Sequence, residues 1–219
     1  MIVYAVEPGG KYVTVKESLA LHPEGKRGFY VNLTNQCTCA CTFCLRSLKE
    51  MAEDHSLWLK NEPSEEEVWA EISALPWDKV EEIVFCGFGE PTMRLEVLTG
   101  LLRRIRDEHP GVKTRLNTNG LSDLHFGRNT APDFDGLLDT ISISLNASNA
   151  ERYLELTRSR FGLPSFEAML TFAERAKAYV PDVVLTVVDH VEDDGEIARC
   201  RKICEARGLR LRVRPYEAE

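Results

Sequence analysis

The chain has no apolar run approaching the roughly 20 residues needed to cross a bilayer. Its start, MIVYAVEPGGKYVTV, lacks the basic opening and apolar core of a secretory signal. It also lacks a positive surplus: 27 Lys and Arg stand against 35 Asp and Glu, a net charge of −8. That argues against a general nucleic-acid or anionic-membrane surface, which needs a basic face. A nucleotide or small acid in a local basic pocket stays open. No repeat, low-complexity tract or flexible linker divides the 219 residues, which suffice for one domain with a substantial core. Seven cysteines, an odd number, with no secretory signal fit no disulfide framework. The expected location is cytoplasmic, where thiols stay reduced, so crowded cysteines indicate metal or redox chemistry.

What is present is alternation. IVYAV, the turn EPGGK and YVTV read as an N-terminal hairpin, an extension over residues 1–27. From residue 28 to 219 a core follows. Strands are expected at 29–35, 80–87, 113–120, 140–147, 182–190 and 209–216. Helices are expected between them, at 64–75, 94–109, 194–208 and in two pieces after Asn149, with a short one at 132–139. Ser64 and Glu67 have capping-box spacing. Strand-helix alternation implies a parallel sheet covered by helices. Six units fall short of the eight of a full barrel, which takes about 250 residues. The expected fold is therefore a partial (β/α)6 TIM-type barrel, with an open doubly wound sheet as the alternative.

The strands are two-faced. Ile141, Ile143 and Leu145 alternate with Ser142, Ser144 and Asn146; Leu209, Leu211 and Val213 alternate with Arg210, Arg212 and Arg214. Tyr30, Asn32 and Thr34 form a similar polar row. The apolar face packs on helices, which leaves a polar interior suited to a polar ligand. The unusual loops TNQCTCACTFC, GFGEPT, NTNG, SLNA, VDH and RPY all end strands, at the face where barrel active sites lie.

Cys37, Cys41 and Cys44 make C-x3-C-x2-C, with Cys39 extra. Structural zinc wants four ligands, usually in two knuckles, and a second knuckle is missing. Three thiolates on an iron–sulfur cluster are the other reading, and they would leave one iron open. A non-catalytic zinc or iron–sulfur protein is the competing class.

The cysteine spacing after the first strand, with Phe43 before the last cysteine and GFGEPT after the second strand, resembles the radical S-adenosylmethionine (radical SAM) superfamily. More narrowly, NLTNQCTCACTFCLR, SLNA and the RVRPY ending resemble the TatD-associated radical SAM proteins. The resemblance implies a [4Fe-4S] cluster on Cys37, Cys41 and Cys44 that reductively cleaves S-adenosyl-L-methionine. The resulting 5′-deoxyadenosyl radical would take hydrogen from a small-molecule substrate. It further implies Phe43 beside the adenine, and Gly89 and Glu90 at the methionine amino group, with Glu90 as its negative partner. Asn117, Ser144 and Asn146 would hold ribose and carboxylate. A low-potential donor such as flavodoxin or ferredoxin, and a link to a TatD-family hydrolase, are the implied partners. Glycyl-radical activases carry an Asp-x-Lys motif that SISLNA lacks, and an RNA-modifying enzyme sits poorly with the acidic balance.

Five further residues lie outside that pattern. Cys39 reads as an exposed bystander and Cys86 as a small buried residue. Arg212 and Arg214 read either as edge-strand charge or as an anion-binding wall for substrate. His190, at the mouth, is a third substrate candidate.

Overall fold

The strand pattern yields one eight-stranded sheet. In this computed structural model, which describes residues 1–48, 53–189, 191 and 193–215, the strands are β1 (Val3–Glu7), β2 (Lys11–Val13), β3 (Arg27–Val31), β4 (Val80–Phe85), β5 (Lys113–Thr118), β6 (Thr140–Ser144), β7 (Asp182–Val188) and β8 (Arg210–Arg214). Their spatial order is β2-β1-β3-β4-β5-β6-β7-β8. From β3 to β8 every neighbour pair is parallel. Each crossover advances one strand in the same direction, as in a barrel. A doubly wound sheet would reverse at a switch point. The fold is a partial (β/α)6 TIM-type barrel. The N-terminal hairpin is built into it, because β1 pairs antiparallel with both β2 and β3.

The helices are α1 (Val15–Leu21), α2 (Leu45–Leu48), α3 (Glu65–Ser73), α4 (Leu95–Glu108), α5 (Ser122–Phe126), α6 (Ala150–Thr157), α7 (Pro164–Ala176) and α8 (Asp194–Ala206). On α3 the Ser64 side chain accepts from the Glu67 N–H, and the Glu67 carboxylate accepts from the Ser64 N–H. On α4, Leu95, Leu98, Leu101, Leu102 and Ile105 are buried, a stripe at i, i+3, i+4 spacing. These helices cover the outer face of the sheet, where Phe29, Ile83, Phe85, Leu116, Ile141, Ile143 and Leu185 have no exposed surface. Among the described residues, no helix is long and apolar enough to cross a membrane.

The structure departs from the sequence expectation in four places. The second hairpin strand stops at Val13, and α1 follows at once, started by a second capping box between Thr14 and Glu17. Helix α5 occupies residues for which no element is expected. The helix expected at 132–139 is a 3-10 turn, Ala131–Phe134, because Pro132 and Gly136 leave too few residues for an α-helix. On β8 the apolar row is buried at Leu209, but Val213 is 37% exposed, since no helix among the described residues follows to cover it.

Helix α8 also fixes the loop after β6. Glu196 is buried, accepts from the Ser148 N–H at 2.6 Å, and pairs with Arg199 Nε at 2.7 Å. Burial alone would raise its pKa, but the Ser148 donor and the Arg199 charge outweigh it and hold it below the ordinary value. Glu196→Ala is expected to destabilise the fold by about 2 kcal/mol at pH 7, the range for hydrogen bonds to a charged group. A group with a depressed folded pKa contributes above its unfolded value and loses that contribution on acidification. The gap between wild type and variant in urea midpoints should therefore shrink below roughly pH 4.

Candidate active site

The chain leaving β3 crosses the C-terminal ends of the strands and carries the four clustered cysteines. This loop docks on the end of α6: Ala40 N–H bonds the Thr157 carbonyl at 2.9 Å and Thr42 N–H the Leu156 carbonyl at 2.8 Å. Arg160 N–H returns to the Thr38 carbonyl at 3.0 Å. So held, Cys37, Cys41 and Cys44 are half-buried and, with Phe43, line one cavity of about 490 Å³. Cys39 does not behave as an exposed bystander. It is 5% exposed and packs into the core. The loop's dock on α6, through the N–H groups of Ala40 and Thr42, leaves Cys39 off the cavity lining. The Cys37 thiol is pushed up by its hydrogen bond with Cys39, by burial and by the Glu90 charge. A bound metal would override these effects, because it binds the thiolate.

The GFGE segment after β4 packs directly on this loop. A Cβ at Gly89 would lie 2.6 Å from the Gln36 carbonyl oxygen and closer still to that of Thr34, so only glycine fits. The Glu90 N–H then bonds the Gln36 carbonyl at 2.7 Å. Glycine here admits the cysteine loop itself, before any ligand is considered. Glu90 is 4% exposed. Its Oε1 accepts from Thr92 N at 3.1 Å, Thr92 Oγ1 at 2.8 Å and Thr118 Oγ1 at 2.7 Å. Its Oε2 accepts from Asn119 N at 2.7 Å. Burial raises the Glu90 pKa and these donors oppose the rise. Two of the four are main-chain N–H groups that can only donate. Oε1 is saturated, while Oε2 keeps one acceptor direction beside the cavity.

The rest of the cavity wall comes from the polar strand faces. Asn117 and Ser144 line it, and the Asn117 Oδ1 is buried without a hydrogen-bond partner. Asn146 is not among the lining residues. It sits at φ 63°, 4% exposed, where it turns the chain out of β6. Arg212 and Arg214 line the cavity, whereas His190 and Tyr216 lie outside the described residues. Cys86 is half-buried on the wall, not in the core, because it sits one residue past β4 where the polar face begins. Asn32 and Thr34 turn away from the cavity. Asn32 Nδ2 bonds the Leu57 carbonyl at 2.6 Å and Thr34 bonds Glu62, which ties down residues 57–62.

Sequence reasoning missed three residues here. Asn119 Nδ2 donates to Thr38 Oγ1 at 3.0 Å and lies 3.8 Å from the sulfurs of both Cys37 and Cys39. Thr118 holds Glu90, and Tyr153 presents a buried, unpartnered hydroxyl near the cysteine loop. The NTNG loop gave a signal for the first two; an unmarked helix position gave none for Tyr153.

The donor set fits an iron–sulfur cluster: three cavity-facing thiols, a fourth turned away, and open volume beside them. The orphaned Asn117 oxygen and the spare Glu90 direction supply acceptors for a polar cosubstrate. Among the described residues, no three His, Cys, Asp or Glu side chains are grouped closely enough to hold a single ion.

A family model described as Radical SAM superfamily matches residues 31–202. Two curated relatives are GTP 3′,8-cyclases of Corynebacterium glutamicum. That of strain R is 29% identical over 194 residues, 85% of this chain and 48% of the relative. That of strain ATCC 13032 is 30% identical over 192 residues, with the same coverage. The chain spans about half the length of these relatives. Among solved structures, SuiB of Streptococcus suis bound to S-adenosylmethionine superposes with a TM-score of 0.65 at 19% identity, over 91% of this chain and 43% of that one. A radical SAM methyltransferase from Sphaerobacter thermophilus gives 0.61 at 18% identity, over 87% and 66%.

The packing at Gly89 makes a direct prediction. Gly89→Ala should push the cysteine loop off GFGE and cost the protein at least about tenfold in iron retention, in line with the loss of a supporting contact around a metal site. The far-ultraviolet circular dichroism should stay native, because the clash is confined to loop carbonyls. Full iron content in the variant would show that the loop adjusts freely.

Proposed function

This chain belongs to the radical SAM superfamily, enzymes that use a [4Fe-4S] cluster and S-adenosylmethionine, and on that premise we propose that it removes a hydrogen atom from a small, polar and anionic substrate held inside the barrel. The observation that carries this reading is the convergence of Cys37, Cys41, Cys44 and Glu90 on one cavity with polar strand faces as its far wall. The cluster and S-adenosylmethionine, when bound, supply a 5′-deoxyadenosyl radical. The chain's residues then have distinct tasks. Cys37, Cys41 and Cys44 hold the cluster. Glu90, through Oε2, accepts from the methionine ammonium while its other bonds keep it immobile. Phe43 flanks the adenine, and Asn117 and Ser144 bind ribose and carboxylate oxygens. Asn146 acts through its turn and not through direct contact. Arg212 and Arg214 face the substrate; His190, the third candidate, lies outside the described residues. Polar residues at fixed positions orient the reactants, and the enclosing walls keep water from a reactive radical.

We extend the reading to its setting. Free thiols at Cys37, Cys41 and Cys44 suit the reducing cytoplasm, and cluster reduction calls for a low-potential donor of the flavodoxin or ferredoxin kind. The resemblance of NLTNQCTCACTFCLR, SLNA and RVRPY to the TatD-associated proteins supports a TatD-family hydrolase as a functional partner. The curated relatives act on GTP by name, an anion. With half their length matched, their cyclisation is not carried over to this chain.

The test is anaerobic reconstitution followed by S-adenosylmethionine and a reductant, with 5′-deoxyadenosine as the readout. Wild type is expected to form it, and Cys41→Ala should fall to background. Protein that carries a four-iron cluster yet shows no spectral response to S-adenosylmethionine would sink the reading.

A further inference from the structure

The sequence makes the chain acidic, but the cavity is not. Four arginines line it, Arg46, Arg115, Arg212 and Arg214, against the single carboxylate of Glu90, in a protein of net charge −8. Arg46 stands by the cysteine loop, where it bonds the Cys39 carbonyl at 3.4 Å. The other three belong together. Arg115, on β5, pairs with Glu82 at 2.9 Å, and its side chain is 18% exposed. Arg212 comes from the edge strand β8 and reaches Ser142 Oγ, two strands away, at 3.2 Å. Its pKa is pulled down by burial and then by the charges of Arg115 and Arg214, so the three guanidinium groups share one field. The Nε atoms of Arg115 and Arg214 are buried with no hydrogen-bond partner. Like charges gathered around unused donors are unfavourable without an anion between them.

Their depth separates them from the cofactor. Arg115, Asn117 and Asn119 follow one another on the inner side of β5 and its end. Asn119 touches the Cys37 sulfur. Arg115 starts four residues earlier, about 13 Å deeper at roughly 3.3 Å per residue. There it also borders a second polar cavity of about 420 Å³ behind the first, and its pair with Glu82 forms part of the floor between them. On the side opposite β8, Tyr4 stacks on Tyr30 with ring centroids 5.3 Å apart, and Tyr12 meets Tyr4 edge-on at 5.6 Å. These rings give the cavity a wall beside the arginines.

We propose that Arg115, Arg212 and Arg214 form a single oxyanion site. The substrate is then a phosphorylated or carboxylated molecule, anchored by that group deep in the barrel with its reacting carbon turned toward the mouth. The inference rests on the radical SAM reading for the direction in which the substrate points, but the anion site itself does not.

The experiment uses the full chain with its cluster reconstituted and S-adenosylmethionine present. Inorganic phosphate and, in a second arm, succinate are titrated calorimetrically into wild type and into Arg115→Gln, Arg212→Gln and Arg214→Gln. S-adenosylmethionine binding is followed separately in the paramagnetic resonance spectrum of the cluster. At least one anion should saturate a single site in wild type. Each variant should weaken it at least about tenfold, roughly 1.4 kcal/mol, with the spectrum unchanged. Preference for phosphate or for succinate tells a phosphorylated substrate from a carboxylated one. If Arg115→Gln does not fold once Glu82 loses its partner, the two β8 variants carry the same comparison. The proposal is overturned if neither anion binds wild type, if the variants bind as well as wild type, or if they lose the S-adenosylmethionine signal together with the anion, which would assign the arginines to the cosubstrate. Arginine-dependent anion binding in protein that never responds to S-adenosylmethionine would keep the site and remove the radical SAM reading.

Discussion

The buried carboxylate of Glu90 is the contact on which the geometry of the mouth depends. It gathers donors from the turn after β4 and from the end of β5. Its own N–H reaches the cysteine loop after β3. Three successive strand ends are thus tied through one residue. A buried carboxylate is tolerable only when most of its lone pairs are hydrogen-bonded, as the four donors to Glu90 ensure. That constraint makes the knot rigid: each partner is held because releasing it strands another polar group. Gly89 supplies the necessary closeness, since any side chain there would separate the two loops before the Glu90 N–H could reach its carbonyl. The three cavity-facing cysteines take their positions from this arrangement and from the dock on α6, together with the loop's own Cys44 N–H to Cys41 carbonyl bond.

The barrel's incompleteness has a physical counterpart in its interior. A closed eight-stranded barrel fills its centre with Val, Ile and Leu. Among the described residues β8 is the last strand of the sheet, and the inner wall carries Asn117, Ser142, Ser144, Thr186 and arginines beside a few valines. Apolar packing lies mainly in the outer layer, where strand side chains such as Ile83 and Ile143 are fully buried in one core with residues of α4 and α7. The division leaves the inside free to be wet and charged. The hairpin closes part of the remaining gap: β1 extends the sheet past β3, and its Tyr4 hydroxyl bonds the Cys86 carbonyl at 3.1 Å, so the added strand is tied to the cavity wall.

Much of this was legible in the sequence because it depends on local pattern. Alternation at Ile141–Asn146 fixed both the strand and its two faces, and the cysteine spacing with GFGEPT pointed to the mouth. What escaped depends on partners distant in the chain. Helix α1 is short and its capping box, Thr14 to Glu17, is hidden behind strand-like YVTV. Cys39 differs from Cys37 and Cys41 only in where the loop turns, which the dock on α6 decides. Asn146 continues the polar row on paper, but the chain leaves the strand before it, and the left-handed turn removes it from the wall. Arg115 sits beside Leu116 on a two-faced strand, and only the curvature of the sheet brings it within the field of Arg212, which starts three strands away.

The charge distribution settles how such a cavity and such a surface coexist. Surface acidity keeps a protein soluble and repels nonspecific polyanions, yet it also slows the approach of a small anion. A recessed basic wall answers this locally, because salt screens exposed charges beyond about 8–10 Å while partly buried ones keep their reach. Arg115, sheltered at the floor, holds its field better than Arg212 at the exposed edge. In the proposed anion site the two ends of the wall would do different work. The edge arginine, first to meet solvent, would govern capture, which depends on ionic strength. The floor arginine, fixed by Glu82, would govern the final orientation. Glu82 also takes up part of the arginine charge, which keeps the empty site from repelling itself apart while leaving the Arg115 Nε without a partner on the protein.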